Sequence, residues 1–129
     1  MSESKQERFV ECPCFGATLD KLLQPALLAI LSRGPSHGYE LAQRIGEIPD
    51  FFDGVPDVSG VYRLLKMLET RGMVVSEWDL SAGSRARRRF TITEDGRKCL
   101  ELWSRTLKNY RKAVDSLLKT AEKAIKAVR

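Results

Sequence analysis

The stretch from residue 57 to residue 93, DVSGVYRLLKMLETRGMVVSEWDLSAGSRARRRFTIT, changes its hydrophobic period part-way along. Val61, Leu64, Leu65 and Leu68 fall at i, i+3, i+4 and i+7, the narrow apolar stripe of an amphipathic helix. Asp57 is a natural N-cap, and Arg71-Gly72 places a cation in the last turn before a C-cap glycine. The opposite face carries Ser59, Tyr62, Arg63, Lys66 and Thr70. Beyond Gly72 the pattern alternates, and two strands are expected over residues 73–79 and 88–93, with Phe90 and Ile92 against polar neighbours. The connection, residues 80–87, is small and flexible at first and then basic, with Arg85 and Arg87.

Upstream, Leu19, Leu22, Leu23, Ala26, Leu27, Ile30 and Leu31 form another helical face, which Gly34-Pro35 ends. Proline is tolerated in a helix's first turn and costly in its interior, so the main helix is expected to start near Pro25. A second helix is expected from Ser36 as N-cap, burying Leu41, Ala42 and Ile45. Residues 46–56 then read as a loop with an apolar tip at Phe51-Phe52, and residues 1–18 as a flexible lead.

Downstream, Thr93 is an N-cap followed by Glu94 and Asp95, whose carboxylates favour the positive end of a helix dipole. Leu100, Leu107, Val114, Ala121 and Val128 recur every seventh residue, and Trp103, Tyr110, Leu117 and Ala124 form a second such series. No Gly or Pro interrupts residues 97–129. A heptad stripe this long has no room against so small a domain, so it wants a partner helix, most simply from a second copy of the chain. Leu100, Trp103, Leu107, Tyr110, Val114 and Leu117 are the expected dimer contacts.

The 129 residues carry a net charge of +5, unevenly placed. Residues 1–80 hold 8 Lys/Arg against 12 Asp/Glu, whereas residues 81–129 hold 14 against 5. A basic half suits a polyanion such as nucleic acid. No apolar run approaches a membrane span and the first residues lack a secretory pattern, so a cytoplasmic protein with no membrane partner is expected. Three cysteines make no disulfide framework. There is no phosphate-binding glycine loop and no paired-histidine zinc helix, and His37, the single histidine, leaves no base–nucleophile pair; an enzyme is not expected.

Three short helices followed by a hairpin with a basic loop is the order of a winged helix-turn-helix. The expected fold is therefore mainly α with a small β-hairpin. A winged domain over residues 19–93 is followed by a C-terminal dimerisation helix over residues 94–129. In such a fold the third helix enters a major groove, where side-chain donors read base edges, and the wing lies along phosphates. Candidate contacts to double-stranded DNA are Ser36, Tyr39, Ser59, Tyr62, Arg63, Lys66, Arg85, Arg87 and Arg88. Strand alternation cannot aim all of Arg85, Arg87, Arg88 and Arg89 outward, and Arg88 and Arg89 have acidic neighbours to pair with.

The motifs carry a resemblance. GPSHGYEL at residues 34–41, the helix at residues 57–72 and RRRFTITEDG from Arg87 onward resemble the PadR family of transcriptional regulators, in order and spacing, over about residues 22–128. The resemblance implies repression, a dimer built largely by the C-terminal helix, and release from DNA by a small molecule or a partner. Two positions depart from the family pattern. Ser59-Gly60 stands where Gly followed by Ser or Thr is usual, and Arg63 where proline is common, so base preferences do not transfer.

Other readings stay open at this point. Trp103 and Tyr110 are interface packing or an aromatic floor for an unknown small-molecule effector. Cys12 and Cys14 are ordinary reduced thiols, or, paired across a dimer, thiolates for zinc or an iron–sulfur cluster in a metal- or redox-responsive regulator. A winged-helix adaptor that binds protein is the alternative of a different class.

Overall fold

A computed structural model describes residues 22–52, 54–81 and 86–128. Its elements are α1 (Leu23–Leu31), β1 (Ser36–His37), α2 (Gly38–Gly46), α3 (Val58–Thr70), β2 (Val74–Asp79), β3 (Arg87–Ile92) and α4 (Glu94–Val128). Pro25 lies in the first turn of α1, where its missing N–H costs nothing. The helix buries Ala26, Leu27, Leu28 and Leu31, and Gly34, at φ 147°, lets the chain reverse after it.

Ser36 does not cap α2. It pairs with Phe90 in an antiparallel bridge, adding a third strand to the expected hairpin in the order β1-β3-β2. The helix starts two residues later, with extended His37 at the N-cap position and no side-chain cap. Gly38 opens it because the Tyr62 ring of α3 sits where a side chain would go. A Cβ there would lie 2.5 Å from Tyr62 Cζ.

The third helix follows the sequence expectation. Val61, Leu65 and Leu68 are buried and Asp57 occupies the N-cap position, although its side chain caps nothing. At the other end the Gly72 N–H donates to Glu69 O and the Met73 N–H to Leu68 O, with Gly72 at φ 78°. This paired closure at a left-handed glycine is the Schellman motif, which satisfies the helix's last carbonyls.

The hairpin register sets Val74 opposite Ile92, Ser76 opposite Phe90 and Trp78 opposite Arg88. Those residues share one face of the sheet. Its inner part, with Val74, Phe90 and Ile92, closes a core shared with α1, α2 and α3. Thr93 then caps α4, as its hydroxyl accepts from the Gly96 N–H at 3.0 Å and donates to Gly72 O at 2.6 Å. Gly96 is required in that first turn, because a Cβ would collide with the Met73 carbonyl and the Ile92 side chain.

The 35 residues of α4 make a rod roughly 50 Å long. Among the described residues its start packs on the domain, where Cys99, Leu100 and Trp103 meet the core. From Leu107 to Val128 every residue is exposed.

Candidate nucleic-acid interface

Polar and cationic side chains stand open on α3 and α2, and those of α3 share one helix face by their spacing. Ser59, Arg63 and Lys66 stand exposed on α3, and Tyr39 is exposed on α2. Tyr62 lies between these surfaces and the core. Its ring meets the Phe90 ring edge-on at 6.3 Å between centroids and covers Gly38, while 38% of the residue stays open to solvent. The same side chain thus packs the helix edge and keeps a solvent-open surface.

Between α3 and the hairpin runs a cleft of about 310 Å³ lined by Tyr62, Lys66, Glu69, Arg88 and Phe90. A cation stands on each wall, Lys66 from the helix and Arg88 from β3. Arg88 is braced. Its Nε donates to Ser76 Oγ at 3.1 Å, the Ser76 hydroxyl donates to Glu69 Oε2 at 2.6 Å, and the guanidinium carbon lies 4.9 Å from the centre of the Trp78 ring.

Two expectations are corrected. Ser36, expected as a DNA contact, is 1% exposed, and its hydroxyl is buried without a hydrogen-bond partner. Pairing with β3 turns it into the domain, away from any groove. The expected acidic pairing holds for Arg89 but not for Arg88. Arg89 Nη2 donates to Glu77 Oε1 at 2.7 Å, which raises the guanidinium's pKa, whereas Arg88 meets serine and an indole. Alternation puts Arg87, which is exposed, on the opposite face of the hairpin from Arg88. Arg85, Cys12 and Cys14 lie outside the described residues. Among those described, no group of three or more His, Cys, Asp or Glu is placed to hold a metal ion.

On the Arg89 side of the sheet, His37 Nε2 lies 3.0 Å from Asp79 Oδ2 and so ties β1 to the end of β2. Asp79 Oδ1 accepts from both the hydroxyl and the N–H of Ser81. These two bonds, more than His37, hold the Asp79 carboxyl down at about 2. The single histidine thus acts as a latch between strands, and its side chain caps no helix.

The residue that sequence reasoning missed is Trp78. It is 59% exposed at the end of β2. Counting the alternation outward from Val74 through Ser76 would have placed it on the α3 side.

The expected dimer stripe is divided by the fold. Leu100 and Trp103 are half-buried on the domain, whereas Tyr110, Val114 and Leu117 stand exposed among the described residues. Beside the stripe, α1, the loop after α2 and α4 enclose an open apolar hollow of about 540 Å³. Ala26, Phe51, Leu100 and Leu107 line it, and Lys108 and Arg111 stand on its α4 wall. Trp103 and Tyr110, singled out as an effector floor, do not line it.

The family pattern for PadR-like transcriptional regulators matches residues 27–102, which run from α1 through the wing into α4. The chain belongs to the PadR-like family of transcriptional regulators. Among solved structures, this PadR-like chain is similar to TA0346 from Thermoplasma acidophilum, at 32% identity and a TM-score of 0.68, over 80% of this chain and 96% of that one. It is also similar to smu.1704 from Streptococcus mutans, at 28% identity and a TM-score of 0.64, over 76% and 87% of the two chains. The fold recurs in Bacillus subtilis PadR, solved in complex with operator DNA, at 24% identity and a TM-score of 0.57, over 64% of this chain and 45% of that one. No curated protein matches the sequence. No helix among the described residues is long and apolar enough to cross a membrane.

Proposed function

We propose that this PadR-like protein is a homodimeric, sequence-specific DNA-binding repressor and not an enzyme. The observation that carries the reading is the open face of α3, where Ser59, Tyr62, Arg63 and Lys66 lie together and Tyr62 and Lys66 line a cleft with the wing cation Arg88; Tyr39 stands exposed on α2. The third helix reads base edges in a major groove and the wing meets flanking phosphates. Bacillus subtilis PadR, which shares the fold, is bound to operator DNA in its crystal.

Two copies join through α4. From Leu107 onward the helix carries exposed apolar residues, with Val114 at 63% and Leu117 at 68%. That many aliphatic side chains in one stripe is the mark of an association surface. Pairing sets two α3 helices at a fixed separation for a two-fold symmetric site, and occupancy of a promoter blocks transcription. A small-molecule effector acts by repacking the paired helices around Trp103 and Tyr110, which changes that separation and releases DNA.

The test is the affinity for a duplex library carrying random inserts, followed by a salt series on the selected duplex. Contacts to about 6–10 phosphates weaken binding by ~10³–10⁵ between 50 and 200 mM salt. Arg63→Ala is expected to relax the selected sequence and weaken binding at least fivefold. A protein that enriches no duplex, or binds all of them independently of salt, is not a DNA-reading regulator.

A further inference from the structure

The hairpin reaches past the core that its inner half closes. On the side facing α3 the pairs step outward from buried Val74 and Ile92, through Ser76 and Phe90, to Trp78 and Arg88. At that last step an indole remains 59% exposed, and Leu80 just beyond it is 74% exposed. Leaving an indole in water forfeits the burial that makes aromatic residues stabilising, so packing gives no reason for Trp78 to stand there.

What Trp78 does touch is Arg88. The guanidinium carbon lies over the indole, and its Nε is fixed to Ser76, which is itself fixed to Glu69 on α3. The hydrogen bond uses the inner nitrogen only. Among the described residues no protein acceptor takes the terminal amino groups. A guanidinium held in this way loses little side-chain freedom when it meets an oxyanion, and its outer edge suits a phosphate. Lys66 faces it across the cleft. The Glu69 carboxylate also lines that cleft, where it accepts from the Ser76 hydroxyl, and the open guanidinium edge beside Trp78 fits a phosphate of a nucleic-acid backbone.

We propose that Trp78 is a DNA-contacting and positioning residue: its indole lies against the backbone beside the α3 contact and holds the Arg88 guanidinium toward a phosphate. This rests on the DNA-binding reading above and extends it to a residue that reading does not need.

The experiment uses the full chain and the duplex that the wild-type protein selects from a random library. Affinity is measured across a salt series for Trp78→Ala, Trp78→Phe, Arg88→Ala and the Trp78→Ala/Arg88→Ala pair, and thermal melts confirm folding. The expected result is about a fivefold or greater loss for Trp78→Ala, with Trp78→Phe keeping most of the affinity because it keeps a ring for stacking. Trp78→Ala and Arg88→Ala should each shrink the salt slope by about 0.9, the value of one phosphate contact, and the pair should be no worse than the poorer single variant. A further readout is iodide quenching of the emission present in wild type and missing in Trp78→Phe, which is expected to fall when the duplex binds. Wild-type affinity and slope in Trp78→Ala overturn the proposal, as do equal losses in Trp78→Ala and Trp78→Phe with the slope unchanged. If the wild-type protein selects no duplex at all, the DNA reading itself fails, and the proposal fails with it.

Discussion

Two helices of this protein carry the same signal, an apolar stripe at helical spacing, and the fold spends it differently. In α3 the stripe of Val61, Leu65 and Leu68 is fully buried by the protein's own α1, α2 and sheet. In α4, among the described residues, Leu100 and Trp103 of the stripe pack against the core, whereas Val114 and Leu117 are exposed. Periodicity states that a face seeks cover; it does not state whose residues provide it. In the proposed function the shorter helix builds the reading head, and the longer one sets where a second head sits.

The sharpest way to break this contrast is to damage each stripe. Leu65→Ala leaves a cavity in a closed core and is expected to cost about 2–5 kcal/mol, seen as a lower denaturation midpoint at every protein concentration. Val114→Asp with Leu117→Asp should leave the winged domain folded by circular dichroism, and its sedimentation should fall to that of a single 14.6 kDa chain. A loss of folding in the second variant, or an unchanged mass, would erase the distinction between the two helices.

Glycines sharpen it next. Gly96→Ala in the first turn of α4 drives a methyl into the Met73 carbonyl and the Ile92 side chain, so about 1–3 kcal/mol of destabilisation is expected. Gly60 in α3 has room, with the nearest atom, on Arg63, at 3.6 Å from a built Cβ. Gly60→Ala is therefore expected to stabilise by roughly 0.5–1 kcal/mol, the usual gain of Ala over Gly in a helix. Urea denaturation of the two variants tests both signs together.

The smallest expected effect concerns the latch beside the wing. The Asp79 carboxyl sits at about 2 in the folded protein, so its stabilising bonds to Ser81 and His37 are complete above the ordinary carboxylate range and lost as pH falls toward 2. Asp79→Asn should melt a few degrees below wild type at pH 5, and the gap should close between pH 4 and pH 2. A gap that widens with acid would mean that the carboxylate is not what holds β2 to β1.

How legible these features are in the sequence follows from how local they are. The Gly72 closure of α3 and the Thr93 cap of α4 involve neighbours within a few residues, and both stand where the residue types place them. Ser36 defeats a local reading because its competing partner, Phe90, is far along the chain, and a bridge to β3 outweighs a capping preference. The arginines divide for the same kind of reason. The hairpin register decides that Arg89 meets Glu77 while Arg88 meets Ser76 and Trp78, and composition cannot supply a register. Tyr62 is legible as an outward residue, but its second task, covering Gly38 and Phe90, emerges only from the packing.

Pairing of two reading heads through α4 is tested most directly by a hydroxyl-radical footprint of the protein on its selected duplex. Two copies joined through α4 should protect two symmetric patches whose centres lie one helical turn, about 10 base pairs, or a whole multiple of it apart, and both should vanish together in the Val114→Asp/Leu117→Asp variant. A single patch that survives in that variant would show that one winged domain reads DNA alone, and would contradict the spacing role of the long helix.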